Sequence, residues 1–197
     1  MIELIIVFGG AFNQVTNAHL KVCDFLREQY PHATFLFLPV SSLYTKGELA
    51  SDYDRINMLE LAIGGKENIA ISHLEINDSD FKGTYQSLIR IADRFADEVA
   101  FVIGADNLIN MHKWINIHGI LSEFKILVLG RYGLDVNTLI DNNLVLKRHI
   151  NNFVLFEEFN MDISSTGFRE TMDISQVPQQ VFDYITDNEL YGGEEDV

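Results

Sequence analysis

Short runs of apolar residues recur along the chain at Leu4–Phe8, Thr34–Leu38, Ile69–Ile71, Val99–Ile103, Ile126–Leu129 and Phe153–Phe156. Runs of this length, without strict alternation, predict strands buried on both faces. Between them lie longer stretches with apolar residues at helical spacing, near Asn17–Gln29, Asp52–Ile63, Thr84–Phe95 and Asn107–Ser122. Strands alternating with helices of this length predict crossover units and a parallel sheet in an α/β fold. From Thr166 to Leu190, Pro178 is suited to a first helical turn, and Val181, Phe182, Tyr184 and Ile185 follow as a stripe. A small helical part therefore closes the chain, and Gly192–Val197 is expected to fray. No linker composition or repeat divides residues 1–197, which predicts a single domain.

Charge changes the picture by exclusion. Fourteen Lys and Arg against twenty-nine Asp and Glu give a net charge of −15. That surface repels nucleic-acid backbones and anionic membranes, so neither is an expected partner. A small phosphorylated ligand stays compatible, because backbone N–H groups and a few local cations suffice to hold it. The single cysteine, Cys23, excludes an intrachain disulfide and a cysteine-based zinc site, consistent with a cytoplasmic protein. The apolar N-terminal run is too short to span a membrane and carries Glu3 where a secretion signal carries basic residues. Neither His32, His73, His112, His118 nor His149 has metal-ligand spacing, so no protein-held metal is expected. The chain is compatible with a homo-oligomer.

Two segments could carry chemistry. The first strand runs into Gly9-Gly10 and a helix opens near Asn17, the position at which open parallel sheets bind phosphates. A Gly-Gly pair alone is more often an ordinary tight turn. Thr16 and His19, three residues apart, would face one spot at the helix start, where an imidazole can donate to a phosphoryl oxygen. The bland alternative is a capping Thr beside an unremarkable His. Near the other end, Ser164, Ser165 and Thr166 followed by Arg169 outline an anion site, or else a simple N-cap with a solvated Arg. Together the two half-sites could clasp one triphosphate. Neither a dinucleotide G-x-G-x-x-G nor a P-loop is present.

The first motif resembles the G-G-T-F-D-P-x-H-x-G-H signature of the nucleotidylyltransferase superfamily, and Ile163–Arg169 resembles its I-S-S-T-x-x-R. Further segments resemble the bacterial nicotinate-nucleotide adenylyltransferase family. Asp54–Ile63 is similar to its R-x-x-M-L-x-L-A-I helix, and Ile103-Gly104-Ala105-Asp106 followed by Trp114 to its I-G-x-D strand end and tryptophan. Gly83–Leu88 is similar to its Y-T-x-x-T-L, and Val177–Tyr191 to its closing helix. Among its departures from the signature are Asn13, Gln14, Thr16 and Ala18, and of the family's P-P-H-K loop only Lys46 stands near its lysine.

The resemblance implies a Rossmann-like, doubly wound parallel sheet and transfer of AMP from ATP to nicotinate mononucleotide, with Mg2+ bound through the ATP phosphates. Gly9, Gly10, Ala11 and Phe12 would border those phosphates, with His19 and Thr16 beside them. Ser164, Ser165, Thr166 and Arg169 would grip the triphosphate from the other side. Gly104 and Asp106 would sit near the ribose and the second nucleotide, Thr84 and Lys46 near the acceptor, and Trp114 would stack on the pyridine ring. His19, Thr16 and Arg169 form the expected catalytic set. Two other functions stay open: a different phosphorylated acceptor, such as nicotinamide mononucleotide or phosphopantetheine, and a non-catalytic nucleotide-binding paralogue.

Overall fold

The computed structural model describes residues 4–44, 49–76, 78–95, 98–159, 168–169 and 171–191. Among the described residues, six strands form one sheet: β1 (Leu4–Gly10), β2 (Thr34–Pro39), β3 (Ile69–Ile71), β4 (Glu98–Gly104), β5 (Lys125–Leu129) and β6 (Phe153–Phe156). Every neighbouring pair is parallel and the order is β3-β2-β1-β4-β5-β6. The chain winds outward from β1 to β3, then returns to β1's other side with β4. Between β1 and β4 the direction of winding therefore reverses, which opens a crevice at their carboxyl ends.

Helices α1 (Asn17–Gln29), α2 (Asp52–Ile63) and α3 (Thr84–Phe95) fill the expected spans. The apolar residues divide into two cores, one on each face of the sheet. Ile6, Phe35 and Phe37 point to the face that buries Leu26 of α1 and Met58 of α2. Val7, Phe101 and Ile103 point to the face covered by Leu88 of α3. Double-sided burial explains why the strands read as continuous apolar runs.

The expected helix over Asn107–Ser122 is corrected to two shorter ones. A 3-10 turn at Ala105–Asn107 leads into α4 (Leu108–Met111), and α5 (Ile117–Glu123) starts only after Asn116. Asn116 takes a left-handed backbone, φ 54°, which a helix interior does not tolerate and which Asn adopts more readily than most residues. The break turns Trp114 inward and leaves Ile115 68% exposed. Two further helices, α6 (Val136–Asp141) and α7 (Leu144–Arg148), start on Asp135 and Asn143, whose side chains accept backbone N–H groups of the first turn. The closing part consists of a 3-10 turn at Ile174–Gln176 and α8 (Gln179–Asp187), with Pro178 at the N-cap of α8 and Val181 and Ile185 buried.

Arg55 on α2 is fully buried. Its guanidinium donates to the Ala11 carbonyl, to the Val40 carbonyl at 2.7 Å and to Asp52, and its Nε donates to the Ala50 carbonyl at 3.3 Å. The turn after β1, the residue after β2 and the approach to α2 are thus pinned to one cation. Replacing it with Leu strands those carbonyls and the Asp52 charge, so Arg55→Leu is expected to cost about 3–5 kcal/mol, measured by urea unfolding.

Glu75 is also buried, and its carboxylate accepts from Ser87 Oγ of α3 at 2.6 Å. Burial pushes its pKa up to about 7; the Ser87 hydrogen bond opposes this and the Asp78 charge adds to it. A carboxyl with a raised folded-state pKa stabilises the fold while it is protonated. That contribution is complete below the unfolded value of 4.5 and is lost as pH rises through about 7. Glu75→Gln keeps an acceptor for Ser87 and carries no charge. It should remove this part of the decline in stability between pH 4.5 and 7, measured by urea unfolding across that range.

Candidate functional site

A cavity of about 310 Å³ opens at the reversal point between β1 and β4. Gly9 and Gly10 of β1, Val102–Gly104 of β4, and Leu129, Gly130 and Arg131 at the end of β5 form its sheet side. Phe12, Ala18 and His19 close it from the first turn and α1, and Trp114 from the break between α4 and α5. A Cβ at Gly104 would lie 2.5 Å from Asp106 Oδ1, so any side chain there would displace the Asp106 carboxylate.

His19 is presented in one tautomer. The Thr16 N–H donates to His19 Nδ1 at 2.9 Å, so Nδ1 is an acceptor and the ring proton resides on Nε2. The ring packs against Phe12 at 5.2 Å and Phe8 at 5.9 Å between centroids. Burial, and secondarily the positive charge of Arg131, lower its pKa to about 4. At neutral pH His19 is therefore an uncharged donor, and protonation would set a second N–H against that of Thr16.

Thr16 does not share this role as expected. It is fully buried, and its hydroxyl lies 3.0 Å from His19 Nδ1. It acts on the ring and presents no donor to the cavity, which corrects the expectation that Thr16 and His19 point at one spot. The Arg169 guanidinium donates to the Asn13 carbonyl, tying the C-terminal part to the first turn. Ala11 lends its carbonyl to Arg55 and does not line the cavity. Thr84 opens α3 and is likewise not among the lining residues. Trp114 lines it while its ring meets the Phe101 edge at 6.2 Å and 70°. Asp106 stands behind the rim, with Oδ1 3.6 Å from the Arg131 guanidinium. Lys46, Ser164, Ser165 and Thr166 lie outside the described residues.

Arg131, Asn107 and Phe159 line the cavity without having been singled out from the sequence. Arg131 carried a usable signal, since it follows an apolar strand and a glycine just as Asp106 follows β4. Gly130 is needed where it stands, because a Cβ would meet the Phe159 carbonyl at 2.5 Å.

The departures Asn13 and Gln14 are buried in the turn and do not line the cavity. Asn13 Oδ1 accepts from the Ala50 N–H at 2.9 Å and from the Tyr191 hydroxyl at 2.8 Å. Both bonds need only an acceptor oxygen, which Asn supplies as well as Asp.

A phosphate approaching this floor meets glycine backbone, the opening turn of α1, one neutral imidazole donor and one guanidinium. By fold and site the molecule is an α/β nucleotidyltransferase. The chain belongs to the cytidylyltransferase-like family, whose model matches residues 7–171, and groups there with the nicotinate-nucleotide adenylyltransferases. The protein named "Probable nicotinate-nucleotide adenylyltransferase" in Clostridium acetobutylicum is 30% identical over 194 residues, covering 94% of this chain and 97% of that protein. Its namesake in Legionella pneumophila (strain Paris) is 30% identical over 207 residues, covering 95% and 98%. Among solved structures, Plasmodium falciparum nicotinic acid mononucleotide adenylyltransferase complexed with NaAD matches with a TM-score of 0.76 at 19% identity, over 96% of this chain and 97% of that one. The same enzyme complexed with APC gives 0.72 at 18%, over the same shares. These two likenesses establish a shared fold. Among the described residues, no helix is long and apolar enough to cross a membrane.

The His19 assignment is directly measurable. Nitrogen-15 NMR of the imidazole should show the Nε2–H tautomer at pH 7 and a titration midpoint near 4.

Proposed function

We propose that this protein transfers AMP from ATP to nicotinate mononucleotide, giving deamido-NAD and pyrophosphate, in the cytoplasm. The observation that carries the proposal is the cavity at the β1/β4 reversal point, where the neutral His19 donor and the Arg131 guanidinium stand over a glycine floor. The names borne by the relatives support the choice of acceptor.

In this reaction an oxygen of the acceptor's phosphate attacks the α-phosphorus of ATP in line. The new P–O bond forms as the bond to the β-phosphate bridging oxygen breaks, and pyrophosphate leaves with that electron pair. The nucleophile is already ionised at neutral pH, so no general base is needed. His19 Nε2–H donates to phosphoryl oxygens as negative charge builds, and it keeps its proton because Nδ1 is occupied by the Thr16 N–H. Trp114 offers its face to the pyridine ring. Ser164, Ser165, Thr166 and Arg169 are assigned to the triphosphate, and Lys46 and Thr84 to the acceptor, on the motifs alone.

Among the described residues no cluster of three or more His, Cys, Asp or Glu could hold a metal. Mg2+ retained by phosphates needs only one or two protein carboxylates. Asp106, whose Oδ1 is buried without a hydrogen-bond partner among the described residues, fits that part. When bound, Mg2+ would neutralise charge on the departing pyrophosphate.

Pyrophosphate release from ATP should be measured with nicotinate mononucleotide, nicotinamide mononucleotide and phosphopantetheine in turn. The greatest kcat/KM is expected for the first; ATP binding without release on any of them would overturn the proposal. His19→Ala is expected to lower kcat by about 10²–10³, as for loss of one preorganised donor, with an unchanged urea midpoint. Wild-type turnover in that variant would remove His19 from the mechanism.

A further inference from the structure

Arg131 is carried by a turn of unusual composition. The Leu134 N–H donates to the Arg131 carbonyl at 3.1 Å, and the two residues between, Tyr132 and Gly133, have φ of 54° and 63°. Consecutive left-handed residues make a type I′ turn, where glycine, asparagine and aspartate are at home and a bulky aromatic is strained. The ring gains little burial in return, since Tyr132 is 51% exposed. Its side chain reaches Arg131. Arg131 Nη2 donates to the Tyr132 hydroxyl at 2.9 Å, and the guanidinium carbon lies 4.7 Å from the ring centroid.

On the other side of the guanidinium, Asp106 Oδ1 is 3.6 Å from Nη1, beyond hydrogen-bond length. Both Asp106 Oδ1 and Arg131 Nε are buried without a hydrogen-bond partner among the described residues. The cation is therefore held by an aromatic face and a carboxylate at the edge of the cavity, with a buried donor that no described residue satisfies. Such an orphaned donor beside a cavity implies a ligand acceptor. Arg131 also lies against Gly104, its Cδ 3.4 Å from where a Cβ would be, on the β4 side that leads to Trp114. His19 and the first helix form the opposite side.

We propose that Tyr132 is a positioning residue for the acceptor: it holds the Arg131 guanidinium at the cavity edge, ready for the acceptor's phosphate dianion. The inference rests on the adenylyl transfer proposed above. A free arginine side chain must be ordered when it binds an anion, and that cost weakens binding. Here the ordering is done during folding, at the expense of backbone strain in the turn. Strain retained at a site in exchange for preorganisation is the pattern expected of a functional residue.

The test compares wild type with Tyr132→Gly, which relieves the turn and removes the ring, and Tyr132→Phe, which keeps the ring over the guanidinium but not the hydroxyl. Tyr132→Gly is expected to keep or raise Tm while raising the KM for nicotinate mononucleotide about tenfold, with KM for ATP within about twofold and kcat within about threefold. Tyr132→Phe should raise the acceptor KM by about threefold. An unchanged acceptor KM in Tyr132→Gly, or an equal rise for both substrates, overturns the proposal. If the wild type releases no pyrophosphate with nicotinate mononucleotide, it is the functional reading that fails. Calorimetric titration with ribose 5-phosphate, which carries the phosphate without the pyridine, then decides the inference. A Kd about tenfold weaker in Tyr132→Gly than in wild type supports it; equal Kd values, or no binding to wild type, overturn it.

Discussion

One buried cation organises the ligand-facing edge of this sheet. Arg55 takes the carbonyls of Ala11, Val40 and Ala50 and the carboxylate of Asp52 into a single set of charge-assisted bonds. Burial raises the Asp52 pKa, but hydrogen bonds from the Ser42 backbone and from Arg55 outweigh it and hold the carboxyl below its usual range. Only replacing Arg55 and Asp52 together by apolar residues could recover the stability of the pair itself, since burying charges has its own large cost. What such a replacement could not give is directional bonding to three backbone oxygens, and those oxygens belong to the segments that frame the first turn. Asn13 adds two further ties, to the Ala50 N–H and the Tyr191 hydroxyl, and Arg169 a third through the Asn13 carbonyl. The loop at the end of β1 is thereby tied to α2, to the residue after β2 and to the C-terminal part.

The consequence for chemistry runs through Thr16. Because the turn is fixed, the Thr16 N–H meets His19 Nδ1, and a backbone group selects the imidazole tautomer. Burial among Phe8 and Phe12 and the charge of Arg131 then keep the ring neutral. A neutral donor suits a reaction in which charge is redistributed among phosphoryl oxygens and no proton has to move. It also divides the labour in the cavity: Arg131 supplies fixed charge, and His19 supplies a directed hydrogen bond.

The sheet was legible because buried parallel strands write themselves as apolar runs, and its observed strands extend the expected ones by at most two residues at either end. Helices α1 to α3 were legible from periodicity over twelve or thirteen residues. Periodicity misled where Ile115 continues the spacing of Leu108 and Met111. Asn116 adopts a left-handed backbone there, and Trp114, not Ile115, is the residue turned inward. Helices α6 and α7, of six and five residues, are too short to show a period; their only signals were the capping Asp135 and Asn143. In the site, glycines and His19 were visible as a motif, but the division of roles was not. A sequence places Thr16 and His19 on one helical face, and only coordinates show that the hydroxyl turns to the ring and away from the cavity. Arg131 escaped notice because one arginine after a strand resembles any solvated arginine until the parallel order brings β5 beside β4.

The variant first motif now separates into parts with different physical duties. Asn13 and Gln14 are buried in the turn; Asn13 ties it to Ala50 and Tyr191, and Thr16 serves the imidazole, so at Asn13 and Thr16 the residue can change wherever the same hydrogen bonds survive. Ala18 is different, because it lines the cavity itself. A methyl group there adds bulk on the side where α1 faces the ligand, and it is the one departure that touches the space a nucleotide would occupy. The motif can therefore drift in its scaffold while its donors stay in place. Selectivity between ligands is to be sought around Ala18 and across the cavity at Arg131, not in the turn that carries the most visible differences.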